Sequence, residues 1–316
     1  MPLANEVHVD SALSAFASAY SNGDLIADVT SPIVAVDKRS DVYFQYSRVD
    51  ASTIRDDIIG PDSEANRSSY SMTNAPYRVI DRALKDVVSM EAITNADAPL
   101  DPLLDATDNL MMRLMLGRER RVATLLTTGA NYAAGGVAVA NPWTNKTNGT
   151  PIDDLLSAIA GIAPGTTGQT RLVACMSQET FNALSTHPDT RGGGALRSVA
   201  TRDEVASLVG LDQIYVSSAV QNTAAAGLAP VYSRIFDVVA TGRVAVLRLP
   251  NGAPRGKQAM FSSTFRYTPQ GSQPVQVRRW EEPNLGPRGS QAVQVSFSDD
   301  EQVVQNDMGY LLTGCI

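Results

Sequence analysis

One helical pattern, between residues 99 and 128, constrains the fold of this chain more than any other feature of its sequence. Leucine, methionine and valine recur there at intervals of three and four residues, the spacing that gives a helix one apolar face. Asp101 followed by Pro102 is a favoured helix start, and Gly129 ends the pattern. A helix of about 24 residues is ~36 Å long, about twice the average length. The sequence therefore predicts one unusually long helix over residues 101–128.

A second pattern, from about residue 40 to residue 80, predicts a long β-hairpin. Residues 42–49, VYFQYSRV, are strongly β-forming, a polar stretch around Gly60-Pro61 follows, and the chain returns through a second β-like segment. Strands of about 12 to 15 residues would reach ~40 to 50 Å. Such an arm cannot bury both of its faces against its own small fold, so it needs a partner.

Residues of this arm and of the predicted N-terminal helix are candidates for the surface that meets the partner. The aromatic residues at the base of the arm could instead belong to the core of the same subunit. Because an arm has little core of its own, we favour their burial between subunits. The candidates are Tyr43, Phe44 and Tyr46 at the base, Arg55, Asp56, Asp57 and Arg67 at the tip, and Phe16 and Tyr20 in the helix.

The remaining sequence separates into a first segment, a compact middle part and a closing set of strands. A short helix is predicted from about residue 10 to residue 23, capped by Asp10 or Ser11, and an extended segment broken by Pro32 follows it. From about residue 259 the period-two pattern of antiparallel strands dominates. In between, helices are predicted over 151–163, 177–185 and 201–211, and strands over 171–176, 213–217 and within 231–249.

The composition argues against several classes of function. A net charge of -7 does not suit a protein that coats nucleic acid, because neutralising phosphates needs a basic surface. No apolar run approaches the ~20 residues of a membrane span, and the N-terminal residues lack the pattern of a signal peptide. We therefore expect synthesis in the cytoplasm and no membrane partner. Arginine far outnumbers lysine, which fits either an interface-rich protein or the base composition of the genome.

The sequence contains no recognisable catalytic constellation. The two histidines, His8 and His187, have no partner at the spacing of a metal site or a catalytic triad. The run TRGGGALR, residues 190–197, lacks the Gly-Lys-Ser/Thr ending of a phosphate-binding loop, and we interpret it as a flexible loop. Cys175 lies in an apolar run and is interpreted as a small buried side chain. We expect no catalytic residue, no cofactor and no metal.

The order of these pieces, and the wording of several stretches, resembles the Hong Kong 97-type major capsid proteins of tailed bacteriophages. The stretches are YRVIDRALKDVVSMEAITNADAPLDPL, RERRVATLLTT, ANPWTNKTNGTPIDDLLSAIAGI and SQETFNAL. The resemblance implies an α+β fold with an N-terminal arm, an extended β-hairpin loop, a peripheral domain with a long spine helix, and an α/β axial domain. The implied boundaries are 1–38 for the N-terminal arm, 39–80 for the extended loop, 81–148 for the peripheral domain with its spine helix at 101–128, 149–255 for the axial domain, and 256–316 for strands that return to the peripheral domain.

The resemblance also implies a function. Members of this family assemble into hexamers and pentamers of an icosahedral phage head that encloses double-stranded DNA. For this chain the implied partners are copies of itself, a separate scaffolding protein and a portal, with a decoration protein as a further candidate. The DNA would be enclosed without sequence-specific binding. The expected location is the virion capsid, after assembly in the host cytoplasm.

Two other functions stay open on the sequence alone. An encapsulin-type compartment, which encloses a cargo enzyme, would share the same architecture. A soluble α/β enzyme would need a clustered polar site, and the sequence shows none.

One feature of some family members is missing from this chain. Those members join a lysine of the extended loop covalently to an asparagine of a neighbouring subunit. Lysine occurs here only at Lys38, Lys85, Lys146 and Lys257, so the tip between Val49 and Arg67 has none. We therefore expect no such crosslink at the tip.

Overall fold

The structure, a computed structural model, has two large β-sheets joined by one long helix, a hairpin that projects from the first sheet, and one further two-stranded ribbon. It describes residues 8–19, 23–46, 53–54, 57–58, 64–67, 71–97, 100–162, 170–191, 199–225, 227–237, 241–252, 260–269 and 273–316. Within these ranges no helix has the length and apolar character that a membrane crossing requires.

The helices and strands follow the predicted order. The N-terminal part contains β1 (His8–Val9), α1 (Ser11–Ala19), α2 (Ala27–Thr30) and β2 (Ile33–Val36), and the hairpin arm contains β3 (Ser40–Tyr46) and β4 (Met72–Arg78). Next come β5 (Ile80–Ser89), α3 (Met90–Thr94), the long helix α4 (Pro102–Thr127), β6 (Gly136–Ala138), α5 (Pro151–Gly161), β7 (Thr170–Ser177), α6 (Gln178–Ser185) and α7 (Arg202–Val209). The chain closes with β8 (Gln213–Ser217), β9 (Val220–Asn222), β10 (Tyr232–Arg234), β11 (Val244–Pro250), β12 (Ser262–Tyr267), β13 (Gln276–Glu282), β14 (Ser290–Val303) and β15 (Gly309–Thr313).

The long helix α4, called the spine helix below, begins where the sequence predicts. The carboxylate of Asp101 accepts hydrogen bonds from the backbone N–H groups of Leu103 (3.0 Å) and Leu104 (3.3 Å), so it satisfies donors that the first turn leaves free. The helix has 26 residues. At its length of ~39 Å it can contact both sheets.

Each half of the spine helix packs on a different sheet. In the N-terminal half, Leu110 and Leu114 share a buried cluster with Val293 of the first sheet. In the C-terminal half, Leu126 belongs to a second cluster with Leu247 of the second sheet. The helix therefore fixes the relative position of the two sheets.

The first sheet has six strands in the order β1-β13-β14-β12-β2, with β5 on the other side of β14. Its neighbours are antiparallel, except that β12 and β2 are parallel. Strand β14 is the centre of this sheet, because it pairs with β13 and β12 along one edge and with β5 along the other. The period-two pattern of the C-terminal sequence thus correctly predicts these antiparallel strands.

The second sheet has five strands in the order β6-β15-β11-β7-β8. It includes the last strand, β15, whereas the sequence predicted that residues 256–316 all return to the peripheral domain. Strand β15 instead pairs with β11 and β6 in this sheet. The neighbouring side chains Leu311 and Leu312 point to opposite faces of the sheet, and both are buried, one in each of two core clusters. A strand buried on both faces fits the interior of a sheet that helices cover.

Several predicted helix starts are confirmed by their hydrogen bonds. The carboxylate of Asp10 accepts from the N–H groups of Ala12 and Leu13 at the start of α1. Thr201 and Glu204 form the reciprocal capping box at the start of α7, with N–H to side-chain oxygen distances of 3.4 and 3.0 Å. These signals are local in sequence, which is why they can be read without tertiary information.

The hairpin arm differs from its prediction in the length of its strands. Strands β3 and β4 pair over seven residues each, against the predicted 12 to 15. The paired part is therefore ~23 Å long. Most of the residues between Tyr46 and Met72 lie outside the described part of the chain.

Candidate assembly surfaces

The two strands of the hairpin arm present one face to their own subunit. Tyr43 packs against Phe265 of the first sheet with the rings tilted by 32° and their centroids 5.1 Å apart, and Tyr77 stacks on the same ring at 4.8 Å. The Tyr43 hydroxyl donates to the carbonyl of Val303 at 3.1 Å, and burial raises the pKa of that hydroxyl. The Gln45 side-chain amide donates to the backbone carbonyl of Val304 at 2.6 Å. This inner face is thus fixed by aromatic and polar contacts.

The opposite face of the arm is exposed and largely apolar, with the exposed Asn74 paired opposite Phe44. The relative exposure of Val42 is 46%, that of Phe44 is 50% and that of Met72 is 46%, and Pro76, paired with Val42, is also exposed. Side chains alternate between the faces of a strand, so Tyr43 and Phe44 necessarily point in opposite directions. We call Val42, Phe44, Met72 and Pro76 the outer face of the arm.

This arrangement separates the aromatic residues that the sequence grouped together. Tyr43 packs against its own subunit, which corrects the expectation that the whole aromatic base is covered by a neighbour. Phe44 is the aromatic residue that stays open. For Tyr46 only the backbone is described, and it pairs with Met72.

The other candidate residues fall partly outside the described chain. The side chain of Phe16 and all of Tyr20, Arg55 and Asp56 lie there. Asp57 and Arg67 are described, and both are exposed in the arm beyond its paired strands.

The root of the arm is held by a buried carboxylate that three arginines surround. Asp299 of β14 is fully buried and accepts hydrogen bonds from Arg82 (3.1 Å), Arg121 (3.3 Å) and Arg266 (3.3 Å). These arginines come from β5, the spine helix and β12. Burial raises the pKa of Asp299, and the nearby Glu301 raises it further, while the arginines lower it. A charge cluster of this kind links three elements at one point and fixes the place where the arm leaves the sheet.

A second buried carboxylate holds the N-terminal segment against the spine helix. Glu119 is fully buried, and its Oε2 accepts from the backbone N–H of Ile26 (3.0 Å) and Ala27 (2.8 Å). These N–H groups lie at the N-terminus of the short helix α2, so the carboxylate lies at the positive end of the helix dipole. Next to it, Arg118 forms an ion pair with Asp28 and donates to the Ser31 carbonyl at 3.1 Å. The extended segment predicted before residue 38 therefore contains a helical turn, which Glu119 caps.

Sequence reasoning missed the roles of Arg118 and Glu119, although a signal for them was present. Both lie in the motif RERRVATLLTT, and both fall where the apolar spacing of the helix requires core positions, between Met115 and Val122. Charged residues in such positions are almost never buried unless they are paired. The pattern therefore predicts buried ion pairs, but it does not identify their partners.

The described residues show no arrangement suited to catalysis. No group of three or more His, Cys, Asp or Glu side chains within the described ranges could hold a metal ion. His187 is buried, and its Nδ1 accepts from the backbone N–H of Asp189 at 3.2 Å, a contact within its own turn. Cys175 is buried in the core, as predicted. The notable features of the described residues are the exposed outer face of the arm and the buried charge clusters around Asp299 and Glu119.

Comparisons with known proteins agree with this architecture. The chain is 27% identical over 322 residues to the major capsid protein of Pseudomonas phage JBD67, over 98% of this chain and 97% of that protein. A solved structure of a phage-related protein from Bordetella bronchiseptica RB50 matches with a TM-score of 0.75 at 19% identity, over 97% of each chain. The capsid of a native GTA particle matches with a TM-score of 0.59 at 12% identity, over 94% of this chain and 92% of that one. No family model matches the chain.

An encapsulin from Synechococcus elongatus PCC 7942 shares the same fold, with a TM-score of 0.51 at 15% identity over 96% of this chain and 95% of that one. The fold alone therefore fits both a phage shell and a protein compartment. The sequence relative is a phage capsid protein that matches over nearly the whole chain, and the structural matches include phage-type capsids. This chain is a phage major capsid protein with the Hong Kong 97-type fold.

Proposed function

We propose that copies of this chain assemble into hexamers and pentamers of an icosahedral head that encloses double-stranded DNA. The outer face of the hairpin arm is the observation that carries this proposal. Val42, Phe44 and Met72 are each about half exposed on a ribbon whose inner face is fixed to its own sheet. Covering them with a neighbouring subunit removes apolar surface from water, at ~25 cal/mol per Å². Phe44 is the proposed centre of this contact.

The remaining candidates are proposed as further contacts around this centre. Tyr43 supports the outer face indirectly, because its ring contact with Phe265 holds the ribbon against its own sheet. Charged residues of the arm suit the polar rim of an interface better than its core. The proposed further contacts are Tyr46, Arg55, Asp56, Asp57 and Arg67 of the arm, with Phe16 and Tyr20 of the N-terminal arm.

The buried charge clusters give these surfaces a fixed position. The cluster around Asp299 holds the root of the hairpin arm, and Glu119 holds the N-terminal segment. A closed shell repeats the same contacts many times. A rigid root lets the arm present its outer face in the same direction in every copy.

We assign the second sheet with helices α5, α6 and α7 to the axial domain, and the first sheet with most of the spine helix to the peripheral domain. Strands β6 and β15 extend the axial sheet beyond residues 149–255. The proposed partners are a separate scaffolding protein and a portal during assembly in the host cytoplasm, with a decoration protein on the finished virion. The net charge of -7 supports enclosure of DNA without adhesion to it, since like charges repel.

Expression of the full chain together with its neighbouring genes tests the proposal. Particles are separated on a density gradient and imaged by cryo-electron microscopy, and their contents are analysed. We expect closed shells with hexamers and pentamers that hold DNA when packaging genes are present. Shells that hold a protein cargo and no DNA would instead indicate an encapsulin-type compartment. A chain that stays monomeric beside its scaffold would overturn the proposal.

A further inference from the structure

The solvent side of the spine helix carries its charges in two separate blocks. Asp105 and Asp108 are exposed in the N-terminal half, and Arg113 and Arg120 are exposed in the C-terminal half. Between the blocks Met112 is 46% exposed. At ~100° per residue these side chains project within one broad face of the helix. We call this surface the spine stripe.

Within the described residues, the charges of the spine stripe have no partner in their own subunit. On the packed side of the helix the charged residues are paired: Arg118 pairs with Asp28, Glu119 caps α2, and Arg121 pairs with Glu301 at 2.7 Å. By contrast, within the described part of the chain no hydrogen bond or ion pair involves the side chains of the four charged stripe residues, Asp105, Asp108, Arg113 and Arg120.

The helix dipole explains only part of this charge order. Its effect falls off within the first and last turns. Asp105 lies in the first turn, but Asp108, Arg113 and Arg120 lie further inside a helix of 26 residues. The separation of acidic from basic residues along the stripe therefore needs another reason.

The stripe is its own complement when a second helix runs antiparallel to it. If a two-fold axis passes beside Met112, Asp105 and Arg120 lie at nearly equal distances on either side, ~11 Å along the helix. Rotation about the axis places Asp105 of one copy opposite Arg120 of the other, and the reverse pair forms as well. Asp108 and Arg113 project to opposite sides of the helix, ~140° apart, so they flank this contact and form no pair across it. Met112 meets its own copy at the centre.

We propose that the spine stripe is a two-fold contact between two copies of this chain. The inference rests on the proposed function, since it specifies one contact of the shell. It also says where in the shell the contact lies. Subunits within a five- or six-membered ring meet through two different surfaces, whereas a two-fold contact joins the same surface of both copies. The spine stripe therefore joins subunits of neighbouring capsomers, while the outer face of the arm serves contacts of another kind.

Charge reversal tests the pairing. Asp105→Arg places an arginine opposite Arg120 of the second copy, and Arg120→Asp places two acids together, so we expect each variant to form severalfold fewer particles than wild type. The double variant restores both pairs in reversed order and should recover particle yield. The control is Asp203→Arg, which also reverses an exposed acid in the first turn of a helix and should assemble normally.

The outcomes separate this inference from the proposed function. If wild type forms no particles, the proposed function fails. If wild type assembles and the single reversals assemble equally well, or if the double variant is no better than the single ones, only the spine stripe contact is wrong. Thermal melting of the unassembled subunits checks that each variant is folded.

A cysteine placed at the centre gives a second test. In oxidised particles of Met112→Cys we expect a disulfide between copies, seen on a non-reducing gel as a band at twice the subunit mass. The control Thr124→Cys lies on the same helix ~18 Å from the axis and should give no such band. The native Cys175 and Cys315 are buried and contribute little background. Intact Met112→Cys particles without the band would overturn the inference.

Discussion

The carboxylate of Glu119, inside the spine helix, accepts a 2.8 Å hydrogen bond from the backbone N–H of Ala27, which lies 92 residues earlier in the chain. A second bond, from Ile26, is 3.0 Å long. Because both donors are buried, removing their acceptor leaves them unsatisfied. This contact therefore does more than pack the N-terminal segment: it fixes the position of that segment on the helix.

We expect Glu119→Ala to lower the free energy of unfolding of the isolated subunit by about 2–4 kcal/mol, because two buried N–H groups lose a charged acceptor. Urea unfolding measures this loss. Glu179→Ala is the control, since Glu179 forms an exposed ion pair with Arg234 and its removal should cost about 1 kcal/mol or less. Equal losses in the two variants would show that the buried contact contributes no more to stability than the exposed ion pair does.

The pH dependence of stability provides a separate prediction. Burial raises the pKa of Glu119 above its ordinary value of 4.5, so the folded subunit holds this proton at a pH where the unfolded chain has lost it. The resulting stabilisation is fully present below pH 4.5 and disappears as the pH rises through the folded pKa. Glu119→Gln cannot titrate, so its free energy of unfolding should fall less than that of wild type between about pH 4 and about pH 8. Parallel curves for the two proteins would contradict this.

Tyr43 and Phe44 are neighbours in sequence but should respond in opposite ways to alanine substitution. Tyr43→Ala removes the ring contact with Phe265 and the hydrogen bond to the Val303 carbonyl, so the subunit should lose about 1–3 kcal/mol of stability. Phe44→Ala removes a half-exposed ring and should change stability by less than about 0.5 kcal/mol. In assembly reactions the Phe44 variant should nevertheless give far fewer particles. A normal particle yield from Phe44→Ala would show that the outer face is not part of the interface.

The contrast between these two residues shows what the sequence could predict. The β pattern of residues 42–49 correctly places a strand here, and alternation puts adjacent side chains on opposite faces. Which face turns inward depends on Phe265, more than 200 positions away in the chain. No local pattern carries that information.

The same division holds elsewhere in the fold. The caps at Asp101 and Thr201 were predictable because the groups that pair lie within a few residues. The place of strand β15 in the second sheet was not predicted, because it depends on pairing with the distant strand β11. The buried Glu119 was missed because its partners, Ile26 and Ala27, belong to a distant segment. Local signals thus define the elements, and long-range contacts decide how the candidate surfaces are built.

Purified particles should contain no covalent crosslink through the arm. The tip between Val49 and Arg67 has no lysine, and Lys38 at the root forms an ion pair with Asp41 at 2.8 Å. On a denaturing, reducing gel, mature particles should therefore give a single band at the mass of one subunit. Bands at multiples of that mass would mean that another lysine takes part.

Deleting residues 50–67 should separate folding from assembly. The paired strands Ser40–Tyr46 and Met72–Arg78 keep their register and their contacts with Phe265 and Asp300, so the shortened subunit should melt within a few degrees of wild type. The tip should be lost as a contact between copies, and stable shells should not form. Circular dichroism and thermal melting report on the fold, and sedimentation with negative-stain imaging reports on particles. A deletion of residues 192–198 controls for shortening of the chain elsewhere in the sequence. Intact shells from the 50–67 deletion would refute the role of the arm.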